Sequence, residues 1–90
     1  MLKREKVFIK SLDREVELVE LPYRAQMAVM EAYSDGNAAD VPLIMVKHGI
    51  AEFAEMSIEE IGDSYNFVAI TEISEKVSDF SALEEDHEKN

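Results

Sequence analysis

Two histidines, His48 and His87, are the side chains of this sequence best suited to acid–base or metal chemistry near neutral pH. A helix would place His48 and Glu52 on one face, because they are four residues apart, and together they would form half of a metal site. Two ligands do not hold zinc, and the chain has no cysteine to add a thiolate. We therefore interpret His48 as a partly buried, hydrogen-bonded histidine and predict no metal.

The other motifs associated with chemistry are incomplete. The segment 35–37 begins like a calcium-binding loop, but Val46 occupies the position where such a loop requires a bidentate glutamate. No serine lies in a G-x-S-x-G motif, and the three glycines stand apart rather than forming a phosphate-binding loop. The sequence therefore predicts no enzyme activity, no cofactor and no small-molecule substrate.

Methionines and aromatic residues offer a different kind of site, one that binds protein. Methionine adapts to irregular surroundings, so it fills small cores and also recurs at adaptable binding surfaces. Core filling is one interpretation of the methionines in and beside the predicted helices. The alternative is a partner-binding groove with two aromatic anchors. The residues of that predicted groove are Tyr23, Met27, Met30, Phe53 and Met56.

Composition limits the class of protein further. The chain has 90 residues, with 20 Asp and Glu against 9 Lys and Arg, and a formal net charge of -11. This length fits one domain with a modest core, and the 47% hydrophobic fraction is too high for a disordered chain. The acidic balance argues against a nucleic-acid partner, because phosphates would be repelled. No apolar run is long enough for a membrane span, and no signal peptide is recognisable, so we expect a soluble intracellular protein.

Local patterns predict the elements that would position these residues. Val7 to Ile9 favours a strand, residues 15–18 alternate polar with apolar, and a polar turn separates them, which indicates a β-hairpin. Pro22 and Pro42 fit the first turns of two helices, and Ser57 with Glu60 forms a capping box. Asp63 or Ser64 is the expected cap of the last helix. That helix shows the clearest apolar periodicity, at Phe67, Ile70, Ile73, Val77 and Phe80.

The predicted fold is mostly α with a short N-terminal β-hairpin, an α+β domain of three to four helices at residues 1–80. The hairpin is expected near 5–21, the helices near 22–33, 41–55, 58–62 and 64–80, and an acidic flexible tail at 81–90. Gly49 weakens the second of these helices, and a close approach of another helix would account for a glycine there. An isolated hairpin is marginally stable in water, so it must pack on the helices or pair with another chain.

The order of features resembles a known family. The hairpin ends in the sequence 19–24 (VELPYR), the polar loop 35–37 follows the first helix, and 46–53 (VKHGIAEF) precedes the Ser57 turn. An amphipathic helix ending 77–81 (VSDFS) and an acidic tail complete the chain. Over nearly its whole length the chain is similar to the tail assembly chaperones of long-tailed bacteriophages and related prophages.

The resemblance implies a non-enzymatic protein that binds the long, helical tape measure protein and keeps it soluble until the tail tube assembles. It also implies the cytoplasm of the bacterial host as the location, absence from the mature virion, and homo-oligomerisation as a further property. A longer form made by translational frameshifting occurs in many members. The hairpin or the terminal helix is then the expected self-association surface, with Val7, Ile9, Val16 and Leu18 as the hairpin's contributing residues.

Two alternatives stay open at this point. A small acidic protein can mimic DNA and inhibit a DNA-binding protein, in which case its acids would form one continuous stripe and its binding would collapse with salt. The chain could equally be an interaction subunit of another assembly.

Overall fold

The chain begins with an antiparallel hairpin whose strands are β1 (Arg4–Ile9) and β2 (Arg14–Val19). The register runs from Arg4 opposite Val19 to Ile9 opposite Arg14. The amides of Leu12 and Asp13 both donate to the carbonyl oxygen of Ile9, which closes the turn. Asp13 adopts the left-handed conformation with φ 55°, one that aspartate tolerates better than most residues.

Four α-helices follow the hairpin in the computed structural model, which describes residues 2–81. They are α1 (Tyr23–Ser34), α2 (Val41–Gly49), α3 (Ile58–Ser64) and α4 (Phe67–Ser81), and short 3-10 turns occupy Ala38–Asp40 and Ala51–Phe53. The predicted fold class, mostly helical with an N-terminal β-hairpin, is confirmed.

The second helix is shorter than the predicted 41–55. It ends at Gly49, and Ile50 is extended with φ -125° and ψ 121°. Ile50 then forms an isolated antiparallel bridge with Leu18 of β2. The helical pattern of the sequence continues past this point, but the bridge to β2 is a tertiary contact that no local pattern encodes.

The last helix also has different bounds from the predicted 64–80. Its cap is Asn66, whose side-chain oxygen accepts a hydrogen bond from the Ala69 amide at 3.0 Å, rather than Asp63 or Ser64. The helix continues through Ser81, which the sequence assigned to the tail 81–90. The remainder of that predicted tail lies outside the described residues. The capping box at the start of α3 is confirmed, since Ser57 and Glu60 exchange side-chain to backbone bonds of 2.8 and 3.1 Å.

A single apolar cluster joins the hairpin to the helices. The most deeply buried large side chains come from both parts of the chain: Ile9, Val16, Leu21, Val46, Ile50, Ile61, Ile73 and Val77. The hairpin therefore packs on its own helices, which was one of the two ways in which it could be stabilised.

At Gly49, α2 lies directly against α4. A Cβ atom at this position would overlap both methyl carbons of Val77, the farther one at 2.7 Å. The expectation that a neighbouring helix accounts for this glycine is confirmed. Gly49 at the carboxyl end of α2 lies against the Val77 side chain in the last third of α4, while Leu43 and Ile70 line one groove near the amino ends of the same two helices. Helices α2 and α4 therefore run in the same direction.

Polar contacts tie the hairpin to α4 at two points. The Glu72 carboxylate accepts hydrogen bonds from the amides of Lys10 and Ser11 at 2.8 and 2.9 Å, and from the Ser11 hydroxyl at 2.6 Å. At the end of α4, the Ser81 hydroxyl oxygen accepts a buried bond from the Leu21 amide at 2.9 Å. These contacts hold the hairpin turn and the segment after β2 against one helix.

Candidate protein-binding surface

The histidine that could have served catalysis lies on the surface of α2. His48 is exposed rather than half-buried, and partial desolvation together with neighbouring Lys47 lowers its pKa below the usual value. Across residues 2–81 no group of three or more His, Cys, Asp or Glu side chains is placed to hold a metal ion. Neither is any helix of this part of the chain long and apolar enough to cross a membrane.

Within residues 2–81, Glu72 is a carboxylate whose pKa the fold clearly shifts. The hydroxyl and amide of Ser11 and the amide of Lys10 donate to its carboxylate, and these bonds lower its pKa. All three donors belong to the hairpin turn of the same chain. The shifted pKa therefore reports a structural tie and points to no acid–base role.

The residues predicted to bind a partner divide into two groups. Tyr23 and Met30 are exposed, by 76% and 60%, and Met27 between them is half-buried. Phe53 is only 2% exposed and its ring lies 5.2 Å from that of Tyr65, so it is a core residue and not a surface anchor. Met56 is half-buried and packs against the core.

The predicted self-association residues of the hairpin are also corrected. Ile9, Val16 and Leu18 are buried in the core, and Val7 is half-buried against it. These side chains cover the helices of their own chain, so they are not free to form a surface between chains.

Helix α1 carries an exposed apolar stripe that we call the α1 stripe: Tyr23, Met27, Met30 and Tyr33. Steps of four, three and three residues place these side chains on one helical face. Tyr33 is 62% exposed, and it extends the predicted set by a further turn. Its spacing of three residues from Met30 is helical, but spacing alone does not distinguish the solvent face of a helix from its core face.

The α1 stripe is unusual for a surface in so acidic a chain. Only two charged residues, Arg24 and Glu31, lie within α1, and their charges cancel. The core face of the same helix is made by Ala25, Val29 and Ala32, which are buried. Helix α1 is therefore apolar on two faces, and residues 2–81 cover only one of them.

A second apolar surface lies where α2, α3 and α4 meet. We call it the α2–α4 groove; its volume is about 400 Å³, and its walls include Pro42, Leu43, Gly62, Tyr65, Phe67 and Ile70. Phe67 and Val68, the first two residues of α4, are 83% and 65% exposed. The sequence pattern assigned Phe67 to the apolar stripe of the last helix, but the cap at Asn66 places this first turn beyond the core.

The two apolar surfaces lie near each other along the chain. Tyr33 precedes the groove residue Ala39 by six residues, and the intervening turn folds back so that the Asn37 amide donates to the Ala32 carbonyl oxygen at 2.7 Å. The end of α1 and the beginning of α2 are therefore held together. Apolar contact with another macromolecule is the chemistry that this arrangement supports best.

Comparison of the chain with protein-family models, with curated proteins and with solved structures finds no match.

Proposed function

We propose that this chain is a non-enzymatic tail assembly chaperone of a long-tailed phage or prophage. It binds the tape measure protein and keeps it soluble while the tail is assembled. It acts in the cytoplasm of the bacterial host and does not remain in the mature virion. The family proposal comes from the order of sequence features, and the observation that supports a binding role is the α1 stripe.

The α1 stripe supports binding to a helical partner for a physical reason. Side chains recurring every three to four residues on one helix can interdigitate with the side chains of a second helix. Tyrosine and methionine contribute large contact areas, and methionine adjusts its shape to different partners. Such a surface suits a protein that covers long apolar segments of another chain without reading one strict sequence.

Co-expression with the tape measure protein of the same phage or prophage tests this proposal. We expect the chain to raise the soluble fraction of the tape measure protein and to co-purify with it at high salt, because apolar contacts resist screening. The double variant M30S/Y33S should lose this effect, since both residues are exposed. Glu31→Gln, an exposed change on the same helix, is the matched control and should keep it.

Two outcomes would overturn the proposal. One is a tape measure protein that stays insoluble when the wild-type chain is present and folded. The other is recovery from the native source of a DNA-binding protein that high salt releases, which would favour the DNA mimic.

A further inference from the structure

We propose that the α2–α4 groove seats the apolar anchor of a basic amphipathic helix, and that acidic residues beside the groove pair with the cations flanking that anchor. The inference rests on the proposed function, because it names the chemistry of the partner segment that the chaperone recognises. It also assigns a binding role to a surface outside the α1 stripe.

The groove has the size and lining of an anchor site. Its volume of about 400 Å³ exceeds the ~150 Å³ of an apolar cavity that can hold a benzene molecule, so it has room for large side chains. The six wall residues named above carry no charge. A cavity of this kind favours an apolar occupant, since a charged group would lose its hydration without gaining a partner.

The exposed start of α4 extends this apolar surface outside the cavity. Asn66 caps the helix, so the first turn is ordered and the Phe67 and Val68 side chains project from a fixed backbone. Phe67 belongs to the groove wall while 83% of its surface remains exposed. A partner helix lying over the groove would bury this ring and Val68 together with its own anchor.

The charges around the groove specify the partner's sign. In the sequence, Asp40 directly follows the groove residue Ala39, and Asp63 directly follows Gly62. From Gln26 to Glu75 the sequence contains one Lys or Arg, Lys47. The Lys47 ammonium group donates to the carbonyl oxygens of Ala54 and Met56, at 2.8 and 2.7 Å, so it serves the chain's own loop. A segment with Lys or Arg beside its apolar anchor is attracted to this region, and an acidic segment is repelled.

The same charges disfavour occupants from within the chain. Residues 82–90 contain four acids and one lysine, and they follow Ser81 at the opposite end of α4 from Phe67. In a second copy of the chain, residues 2–21, which include both hairpin strands, contain as many acids as bases, so this segment carries no excess positive charge. A basic helix from a different protein is therefore the occupant that the groove favours.

The test uses a labelled helical peptide of about 18 residues, with leucines on one face and lysines on the other. Binding is measured by fluorescence anisotropy against the full chain. A second peptide with the same leucine face and glutamates in place of the lysines is the matched probe. We expect the leucine–lysine peptide to bind and the leucine–glutamate peptide not to bind.

Gly62 allows the groove to be filled without removing a core contact. A Cβ atom there would make ordinary contact with Leu43, at 3.6 and 3.9 Å from its two methyl carbons. Gly62→Leu should fill the groove and weaken binding of the leucine–lysine peptide about tenfold, which corresponds to ~1.4 kcal/mol. Gly62→Ala is the matched control and should change the affinity less than about twofold. Both variants replace a helical glycine, so both should remain folded in a thermal melt.

Charge-matched variants distinguish the effect of Asp40 and Asp63 on peptide binding from the effect of the chain's overall negative charge. Asp40→Asn with Asp63→Asn should weaken the leucine–lysine peptide several-fold. Glu55→Asn with Glu75→Asn removes the same charge at exposed positions outside the groove lining and should have a smaller effect. Equal losses in the two pairs would overturn the charge assignment, and unchanged affinity in folded Gly62→Leu would overturn the groove itself.

Two further results would identify a different occupant and so contradict the proposal. If deleting residues 82–90 raises peptide affinity about tenfold, the chain's own tail competes for the groove. If Gly62→Leu dissociates a homodimer detected by analytical ultracentrifugation, the occupant is a second copy.

The tape measure assay distinguishes failure of the groove proposal from failure of the proposed function. If Gly62→Leu still solubilises the tape measure protein and M30S/Y33S does not, the function stands and the groove proposal fails. If the groove binds the basic peptide but the wild-type chain solubilises no tape measure protein, the groove proposal stands and the proposed function fails.

Discussion

The hairpin and the groove differ in how far contacts within the chain satisfy and cover their groups. At the hairpin, side chains of α4 accept hydrogen bonds from it: Glu72 accepts from the amides of Lys10 and Ser11 and from the Ser11 hydroxyl, and the Ser81 hydroxyl oxygen accepts from the Leu21 amide. At the groove, the walls are apolar and Phe67 extends into solvent. The first region is held together by the chain's own groups, whereas the second has apolar contact surface that residues 2–81 leave exposed. Stability is therefore expected to depend mainly on the hairpin region and partner binding on the groove and the α1 stripe.

Two helical glycines give the largest expected contrast: Gly49, next to the Ile50 bridge to the hairpin, and Gly62, beside the groove. Gly49→Ala places a methyl group against Val77, and we expect it to lower the free energy of unfolding by about 1–3 kcal/mol, as overpacking does. Gly62→Ala beside the groove has room for its methyl group and should raise stability by up to about 1 kcal/mol through helix propensity. Urea denaturation measures both.

A double variant checks the reason for the Gly49 effect. Adding Val77→Ala to Gly49→Ala should cost less than the sum of the two single changes, because removing the valine methyls makes room for the new one. Strict additivity would contradict the steric account.

Loss of the Ser81 hydroxyl is the next largest effect that we expect. Ser81→Ala leaves the buried Leu21 amide without its acceptor, at a cost of about 1–3 kcal/mol. Thermal or urea unfolding measures the loss. Ser78→Ala, a change on the same helix at a half-buried position, is the control. Equal stability of the two variants would mean that the bond contributes nothing net.

Glu72→Gln should give a smaller, pH-dependent effect. The pKa of Glu72 is lowered in the folded chain, so its carboxylate stabilises the fold above the ordinary pKa of a glutamate. This contribution is lost as the pH falls through the lowered folded value. The variant should therefore be less stable than the wild type at pH 7, and the two should converge in strong acid. Urea midpoints at several pH values test this, and a constant difference at all pH values would contradict it.

Phe67→Ser should have the smallest effect on stability. Its side chain is 83% exposed, so we expect a change within about 0.5 kcal/mol in urea denaturation. The same variant should weaken binding of the leucine–lysine peptide, since it removes part of the groove rim. A large loss of stability with unchanged binding would reverse the proposed roles of the two regions.

Local chemistry was sufficient to predict most of the elements. Alternation of polar and apolar residues predicted the hairpin, the Ser57 and Glu60 pair predicted the start of α3, and apolar periodicity predicted α4. Each of these signals lies within a few neighbouring residues. The end of α2 at Gly49 could not be found in this way. It depends on the bridge between Ile50 and Leu18, two residues that lie far apart in the sequence.

Exposure was the harder property to predict, and the candidate site depends on it. Tyr23 and Phe53 are both aromatic residues near apolar neighbours, yet one is 76% exposed and the other 2%. Periodicity indicates which residues share a face, but whether that face is covered depends on which other elements pack there. The groove was missed for the same reason, because its walls come from three helices that adjoin only in the folded chain.

The bonds between Glu72 and the hairpin turn have a consequence for the newly synthesised chain. Lys10 and Glu72 are separated by 62 residues, so the ribosome completes the hairpin long before it makes the helix that holds it. At roughly 5–20 residues per second, this interval lasts about 3–12 seconds. During that time the apolar side chains of Ile9, Val16 and Leu18 have no α4 to cover them. A protein proposed to protect another chain from aggregation thus passes through a comparable exposed period during its own translation.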